Sequence, residues 1–279
     1  MPSFQHLLIT RFNLPYGRDE RNLDDAWLAH RFDLFERFCA PSLQAQTQQN
    51  FRALLLLDDR TPERYRRRLE RLQAACRLLP CYLSSGDRGV VQRAIEQVVS
   101  GDVSHVISTT LDNDDALARD FVARVQAEFR GQDFEFLNYP SGYRLRLPGC
   151  RLHSCQLESN PFLTLFEARQ GARTIYAYLP HSTLARRHPI RDAGCEPMWL
   201  QVVHDKNLAA TTVAGRPRVP LARLADRFSV YLPSNEPEGR LELAVDNVRR
   251  GVERAVLDRI GADGRARVRH LLRRVRSRS

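Results

Sequence analysis

Two apolar runs in the first half of this sequence end in clustered carboxylates. Residues 52–57 run into Asp58 and Asp59, and residues 103–107 run through 108–111 into Asp112-Asn113-Asp114-Asp115. Apolar runs of this length are typical of strands that are buried on both faces of a sheet. Ligands of open α/β sheets bind outside the carboxyl ends of the strands. Both acidic groups are therefore predicted to lie at a ligand-binding edge.

The rest of the first half alternates strands with helices. Strands are predicted at residues 5–10, 52–57, 80–84 and 103–107, and helices at 24–38, 62–78, 90–99 and 116–129. This alternation predicts a parallel sheet with right-handed crossovers.

The pattern changes beyond residue 130. A strand at 134–138, a turn at 140–142 and an alternating partner strand at 143–147 are predicted, with another strand at 174–178. The second half is therefore predicted to be antiparallel and rich in loops, which suits the binding of a second substrate. The fold class is α/β, with a Rossmann-like nucleotide-binding half, an antiparallel acceptor half and C-terminal helices.

Composition restricts the class of protein. The 279 residues are 43% hydrophobic and 27% charged, as in soluble globular proteins. No apolar run reaches the roughly 20 residues of a membrane span, and no signal-peptide pattern opens the chain, so a cytoplasmic location is expected. The net charge is +10, but the basic residues are interspersed with 33 acids. Nucleic acid is therefore not an expected partner.

The cysteines do not suggest a disulfide scaffold or a zinc site. There are six cysteines in a chain of 279 residues, which is far from the density of small disulfide-rich proteins. Cys150 and Cys155 flank His153, but their spacing differs from common zinc motifs. Free thiols are predicted.

Asp112 and Asp114 are two residues apart, so on an extended or turning segment both carboxylates can reach one hard cation. Oxygen-rich sites of this kind suit Mg²⁺ or Mn²⁺, which then hold the phosphates of a substrate. Alternatively, Asp114 or Asp115 caps the helix predicted from Ala116 onward. Both interpretations are open at this point.

Asp58 and Asp59 can also be interpreted either as ligand contacts or as the start of a helix. Asp58 or Asp59, at the end of a strand, can accept hydrogen bonds from a nucleotide's base or ribose. They can also begin the following helix, because Asp59-Arg-Thr-Pro is favourable helix-start chemistry. Arg11, at the end of the first strand, can contact a phosphate or a nucleobase, or it is an ordinary loop charge.

Two further loops offer candidate ligand contacts. Arg88 and Arg93 follow Gly86 near a predicted helix N-terminus, where they could reach an anionic group. His204 follows a short apolar run and is a candidate third metal ligand, with a structural histidine as the alternative. Lys206, the only lysine, is a candidate phosphate contact on the same loop.

A general base is predicted in the loop before residue 200. Asp192 and Glu196 lie among proline and glycine residues and are the candidates for this base. Each could instead be a helix cap or a solvated loop acid.

The composition shifts near residue 236. Apolar residues keep helical spacing to Ile260, and residues 265–279 contain no acid but have an apolar seam. A basic amphipathic helix can lie on an anionic membrane surface, and a solvated, frayed tail is the alternative. We divide the chain into a domain at 1–235 and a C-terminal helical basic extension at 236–279.

These motifs together resemble the rhamnosyltransferase family, a branch of the bacterial GT-A-type glycosyltransferases. The resemblance spans about residues 5–210. It is carried by Thr10–Asn13, Arg31–Glu36, Pro41–Gln44, Phe51–Asp59, Thr109–Leu117 and His204–Asn207.

The resemblance implies a GT-A-like glycosyltransferase domain at residues 1–235. It implies a nucleotide-diphospho-sugar donor and a divalent cation, Mn²⁺ or Mg²⁺, bound by Asp112 and Asp114 with Asn113 beside the donor. By the same resemblance, Asp58 or Asp59 contacts the donor nucleoside and His204 binds the metal or the diphosphate.

The acceptor implied is a saccharide or a lipid-linked hydroxyl, in cell-surface polysaccharide or glycolipid synthesis. Direct attack inverts the anomeric centre, and rhamnose is the sugar that the family's name suggests. Residues 265–279 lie outside the resemblance. As an amphipathic helix they would place the protein at the inner face of the membrane, and as a frayed tail they would not. The alternative functions are a metal-dependent nucleotidyltransferase and a non-catalytic nucleotide-binding or nucleic-acid-binding protein.

Overall fold

The computed structural model describes residues 3–15, 20–99, 101–207, 213–214, 216–232 and 243–251. Within these ranges, strands form a seven-stranded and a four-stranded sheet. The strands are β1 (Phe4–Arg11), β2 (Arg52–Asp58), β3 (Leu78–Leu83), β4 (His105–Thr110), β5 (Ala116–Leu117), β6 (Phe134–Asn138), β7 (Ser141–Arg146), β8 (Arg151–Gln156), β9 (Thr164–Ala168), β10 (Ile190–Asp192) and β11 (Trp199–Val203).

The helices lie mostly between the strands of the first half. They are α1 (Asp25–Leu34), α2 (Ala40–Gln44), α3 (Glu63–Gln73), α4 (Arg88–Val98), α5 (Phe121–Ala127) and α6 (Arg223–Arg227). A π-helical turn, Phe35–Cys39, joins α1 to α2. Residues 243–251 are also helical, and the remainder of the predicted extension, including 265–279, lies outside the described residues.

The large sheet has the strand order β10-β6-β9-β4-β1-β2-β3. β1 pairs in parallel with both β4 and β2, and β2 pairs in parallel with β3. The parallel sheet predicted for the first half is therefore confirmed. Because these strands run in one direction, the ends of β1, β2 and β4 meet at one edge of the sheet.

Alternation along β1 divides the core into two layers. Leu8 faces the layer that contains Phe32 of α1, whereas Leu7 and Ile9 face the layer that contains Val91 of α4. Successive strand side chains point to opposite faces, so a strand covered on both sides must be apolar at nearly every position.

β2 has this pattern from Ala53 to Leu57. β4 is also fully buried, but four of its six residues are polar and find partners inside. The Thr110 hydroxyl donates to the Pro161 carbonyl at 2.7 Å, and Ser108 Oγ accepts from the Ile175 N–H at 2.8 Å.

The second half differs from its prediction in strand pairing. β9 is antiparallel to both β4 and β6, and β7 is antiparallel to β8, but β10–β6 and β11–β7 are parallel. β6 and β7, predicted as hairpin partners, belong to different sheets. The predicted strand at 174–178 is wrong, since Ile175–Tyr178 forms a 3₁₀ turn.

The predicted helix at 116–129 is wrong at its start. Ala116 and Leu117 pair with Leu200 and Trp199 of β11, and the helix begins only at Phe121. The predicted turn at 140–142 is replaced by the start of β7, where a Cβ on Gly142 would lie 2.1 Å from the Trp199 ring. The strand backbone can pass the indole only because residue 142 has no side chain.

All six cysteines are free thiols, as predicted. His153 lies in β8 and faces the carbonyl oxygen of Arg216 through Nδ1 at 3.2 Å. None of the helices in the described ranges has the length and apolarity needed to cross a bilayer.

Candidate functional site

The acidic segment follows β4 at the edge where the parallel strands end. Carboxylate oxygens of Asp112, Asp114 and Asp115 lie within 4.8 Å of one another. Asp112 is exposed, whereas Asp114 and Asp115 are buried. The three acids form what we call the acidic cluster, with one carboxylate open to ligands and two held by the protein.

Hydrogen bonds to β11 and to the residue that follows β1 fix the turn that carries the acidic cluster. The Val202 N–H of β11 donates to Asp115 Oδ1 at 2.8 Å, and Asn113 Nδ2 donates to the Phe12 carbonyl at 3.2 Å. The N-cap residue of α5 is Asp120. The capping interpretation of Asp114 and Asp115 is therefore wrong, and Asp115 instead joins the acidic turn to the smaller sheet.

Asp114 receives hydrogen bonds from two distant parts of the chain. Arg31 Nη1 donates to Asp114 Oδ2 at 2.6 Å, and His204 Nε2 lies 2.9 Å from the same oxygen. Asn207 Nδ2 donates to that oxygen at 3.4 Å. Burial raises the pKa of Asp114, but the hydrogen bonds from His204 and the charge of Arg31 outweigh burial and lower it below its ordinary value. Asp114 is therefore ionised at neutral pH.

The hydrogen-bond pattern of His204 indicates its tautomer. The Lys206 N–H donates to His204 Nδ1 at 3.2 Å, so the ring hydrogen lies on Nε2 and is donated to Asp114. His30, next to Arg31 on α1, packs edge-on against the His204 ring with centroids 5.1 Å apart. α1 therefore helps to hold both the acid and its histidine partner.

The electrostatics of the acidic cluster favour a cation. Desolvation and the neighbouring Asp114 carboxylate raise the pKa of Asp112 to about 6, although its side chain still reaches solvent. Burial, together with the charges of Asp114 and Asp112, raises the pKa of Asp115 well above its ordinary value. These acids repel one another, and a divalent cation would relieve that repulsion.

The donor set fits a hard divalent cation. Carboxylate oxygens with one imidazole suit Mn²⁺ or Mg²⁺. The 2.9 Å between Asp114 Oδ2 and His204 Nε2 is also close to the ~3.0 Å between adjacent ligands of an octahedral ion with bonds of ~2.1 Å. Asp112 and Asp114 could thus hold such an ion. His204 Nε2 could join them as a third ligand if the ring hydrogen moved to Nδ1 and the Lys206 N–H turned away from Nδ1.

Asp58 lies at the end of β2, two strands from β4. Its Oδ1 accepts from the backbone N–H of Arg60 at 2.8 Å, and its Oδ2 accepts from Arg60 Nη2 at 3.0 Å and Asn22 Nδ2 at 2.9 Å. Burial raises the pKa of Asp58, but the hydrogen bonds from Arg60 lower it below its ordinary value. Asp58 therefore organises the loop, Asp59 is exposed beside it, and Arg60 presents a half-exposed guanidinium that sequence reasoning missed.

The three arginines predicted to contact an anionic ligand lie on two different elements, one at the end of β1 and two on α4. Arg11 Nε donates to the Leu14 carbonyl at 3.0 Å and shapes the loop after β1. Arg88 begins α4 and donates to the Leu179 carbonyl at 3.2 Å. Arg93 is exposed one turn further along α4. A Cβ at Gly86 would lie 2.2 Å from the Pro15 carbonyl, so the loops after β1 and β3 are in close contact.

The two candidate bases lie at different places. Asp192 ends β10, is exposed, and accepts from Asn138 Nδ2 at 2.7 Å. Because β10, β6 and β4 run in the same direction, Asp192 shares the edge of the acidic cluster. Glu196 precedes β11 and pairs with Arg124 and with Arg227.

The structure does not bring Glu196 to the acidic cluster. His204 follows β11, whereas Glu196 precedes it. Because a strand of five residues extends about 16 Å, the two residues lie at opposite ends of β11. Asp112, Asp114, His204 and the loop carrying Lys206 are brought together. Sequence reasoning missed the roles of His30 and Arg31, which contact His204 and Asp114. The available signal was Arg31, a basic residue on the apolar face of a helix.

Comparison with known proteins identifies the family. A family model described as "Putative rhamnosyl transferase" matches residues 5–216, which is more than half of the chain. The chain belongs to this rhamnosyl transferase family. This membership confirms the family expected from the sequence. No curated protein matches the chain.

Two solved structures are similar to the chain. Residues 1–349 of S. aureus TarS, in complex with UDP, are 12% identical with a TM-score of 0.43, over 72% of this chain and 60% of that one. The mannosyltransferase PcManGT from Pyrobaculum calidifontis, in complex with GDP-Man and Mn²⁺, is 10% identical with a TM-score of 0.39, over 74% and 58%. The chain thus spans about three fifths of either structure.

Proposed function

We propose that this glycosyltransferase moves a sugar from a nucleotide-diphospho-sugar to a hydroxyl of a saccharide or lipid-linked acceptor, and that it depends on a divalent cation. The observation that supports this most directly is the acidic cluster at the end of β4. Three crowded carboxylates, one of them exposed, are costly unless a cation compensates them. Rhamnose is the sugar that the family's description suggests.

In this proposal, Asp112, Asp114 and His204 hold Mn²⁺ or Mg²⁺. When bound, the cation would neutralise charge on the departing nucleoside diphosphate. Arg31 keeps Asp114 ionised and fixes its orientation through the 2.6 Å hydrogen bond. Asn113 anchors the turn to Phe12, directly after β1. Lys206 adds a positive charge on the neighbouring loop, beside the donor phosphates.

The strand order supports a position for the nucleoside. Asp58 is two strands from β4 in the order β4-β1-β2, or about 10 Å at ordinary strand spacing. That distance suits a donor whose diphosphate lies at the acidic cluster and whose nucleoside lies at the end of β2. Asp59 and Arg60 would contact the nucleoside there, with Asp58 holding Arg60 in position.

Three arginines extend this surface. Arg11 orders the loop after β1, and Arg88 and Arg93 place positive charge on α4 beyond β3. They would favour the approach of an anionic donor.

For the acceptor side, we propose Asp192 rather than Glu196 as the general base. Asp192 is exposed at the shared edge, whereas Glu196 is paired with two arginines near the opposite end of β11. A carboxylate that removes the acceptor proton during direct attack gives inversion.

The test is a comparison of Asp112→Asn and Asp114→Asn with the surface control Asp33→Asn. Asp33 pairs with Arg37 on the outer face of α1, so its variant should keep full activity. Both cluster variants should lose Mn²⁺-dependent hydrolysis or transfer of nucleotide-diphospho-sugars by at least a hundredfold, as removal of a charge-stabilising group does. Their folding is checked by circular dichroism. Full activity in both cluster variants, or a preference for nucleoside triphosphates as substrates, would overturn the proposal.

A further inference from the structure

The helical residues 243–251 pack onto the protein through polar side chains. Arg218 Nη1 donates to Asp246 Oδ2 at 2.5 Å. The Arg218 N–H donates to Asn247 Oδ1 at 2.6 Å, and Asn247 Nδ2 returns a hydrogen bond to the Arg218 carbonyl at 3.1 Å. Arg250 Nη1 donates to the Val213 carbonyl at 3.1 Å. Four hydrogen bonds therefore fix which side of this helix faces the protein.

The opposite side of the helix is apolar and exposed. Val245 is 62% exposed and Val248 is 72% exposed, and they are two of only four large hydrophobic side chains exposed among the described residues. At about 100° per residue, these valines lie on one side of the helix and Asp246, Asn247 and Arg250 on the other. A surface helix ordinarily turns its apolar side to the core. In this helix the apolar side faces outward and the polar side faces the protein. We call the side with Val245 and Val248 the valine face.

The hydrogen-bonded side is firmly attached. The Arg218 side chain is only 1% exposed and forms its ion pair with Asp246 inside the protein. Arg218 also forms a β-bridge with His153 of β8. Turning the valine face inward would break these contacts and leave a buried guanidinium without its partner, which is costly. The outward direction of the valines is therefore built into the packing.

Charge indicates what covers the valine face. Arg249 lies beside the valines and is exposed. The following sequence, residues 252–279, contains nine arginines and three acids, and Val252, Val256 and Ile260 continue the apolar spacing. A second copy of the chain would bring two strongly basic segments together and be repelled. An anionic bilayer accepts apolar side chains and attracts arginines at the same time.

We propose that the valine face docks on an anionic lipid bilayer. Val245 and Val248 enter the boundary between headgroups and acyl chains, and the neighbouring arginines contact lipid phosphates. This inference does not rest on the sugar-transfer reaction. It differs from binding through residues 265–279 alone because it assigns a role to two side chains that precede that tail by 17 residues or more in the sequence.

The full chain is tested by flotation with phosphatidylcholine vesicles, with and without phosphatidylglycerol. The protein should float with the anionic vesicles only. The double variant Val245→Ser and Val248→Ser keeps the charge and should partition about tenfold more weakly, since it removes the two apolar side chains that enter the bilayer. Tyr231→Ser removes another exposed hydrophobic side chain, 62% exposed and outside the helix, and should partition like the wild type.

Thermal unfolding of both variants verifies that the fold is intact. Equal partitioning of the double variant and the wild type would overturn the proposal and leave the basic tail as the attachment. Equal binding to neutral vesicles would also overturn it. A dimer that the double variant loses, without any vesicle binding, would assign the valine face to a second copy.

Discussion

Arg31→Met tests the contact on which the acidic cluster depends. The Arg31 and Asp114 side chains are both less than a tenth exposed and are joined at 2.6 Å. Removing one partner of a buried ion pair costs ~3–5 kcal/mol, because the remaining charge is left uncompensated. The bond from His204 to the same carboxylate offsets part of that cost. We therefore expect a loss of about 3 kcal/mol in the free energy of unfolding at pH 7.

The assay is urea unfolding of both proteins with and without Mn²⁺. A cation that binds the native state stabilises it by mass action. The increase in the free energy of unfolding on adding Mn²⁺ should be larger for Arg31→Met, because Asp114 has lost its guanidinium partner there. Arg67→Met is the control, because Arg67 and Glu63 are both exposed and such pairs contribute only ~0.3–0.5 kcal/mol. A loss below 1 kcal/mol for Arg31→Met, or equal stabilisation of both proteins by Mn²⁺, would refute the reasoning.

Two other predictions concern stability. Gly142→Ala should lower the free energy of unfolding by ~1–3 kcal/mol, because its Cβ would lie 2.1 Å from the Trp199 ring; an unchanged melting temperature would contradict this. Burial lowers the pKa of His153 to about 4 and that of His6 to about 3. Both therefore stay neutral in the fold while the unfolded chain takes up protons below pH 6.5, so stability should fall as pH decreases from 6.5 toward 4. His153→Gln should make that fall smaller in urea titrations, and an identical pH slope in both proteins would argue against it.

Local sequence patterns determined the parallel half of the large sheet. The run that forms β2 is apolar from Ala53 to Leu57 because the core covers both faces of the sheet, whereas in β4 only Val106 and Ile107 are apolar. Their terminal acids follow directly from where those runs end. Parallel direction follows from strand–helix alternation. For this reason the edge carrying Asp58 and Asp112 could be predicted without knowing any long-range contact.

Pairing partners were decided only by the tertiary structure. Ala116 and Leu117 read as the first turn of a helix, yet they pair with β11, which lies more than 80 residues further along the chain. Backbone pairing with a distant strand and burial outweigh a helix preference of at most ~1 kcal/mol per residue. The same effect separates β6 from β7, although they are adjacent in the sequence.

For the candidate site, too, the sequence determined one part and the tertiary structure decided the other. Its residue types were visible in the sequence, because Asp112, Asp114 and His204 each follow a strand-like run. The contact of Arg31 with Asp114 joins residues 83 positions apart, and the position of Glu196 depends on which end of β11 faces the acids. Chemistry follows from side-chain type and is local, whereas distance and orientation are set by packing across the whole chain.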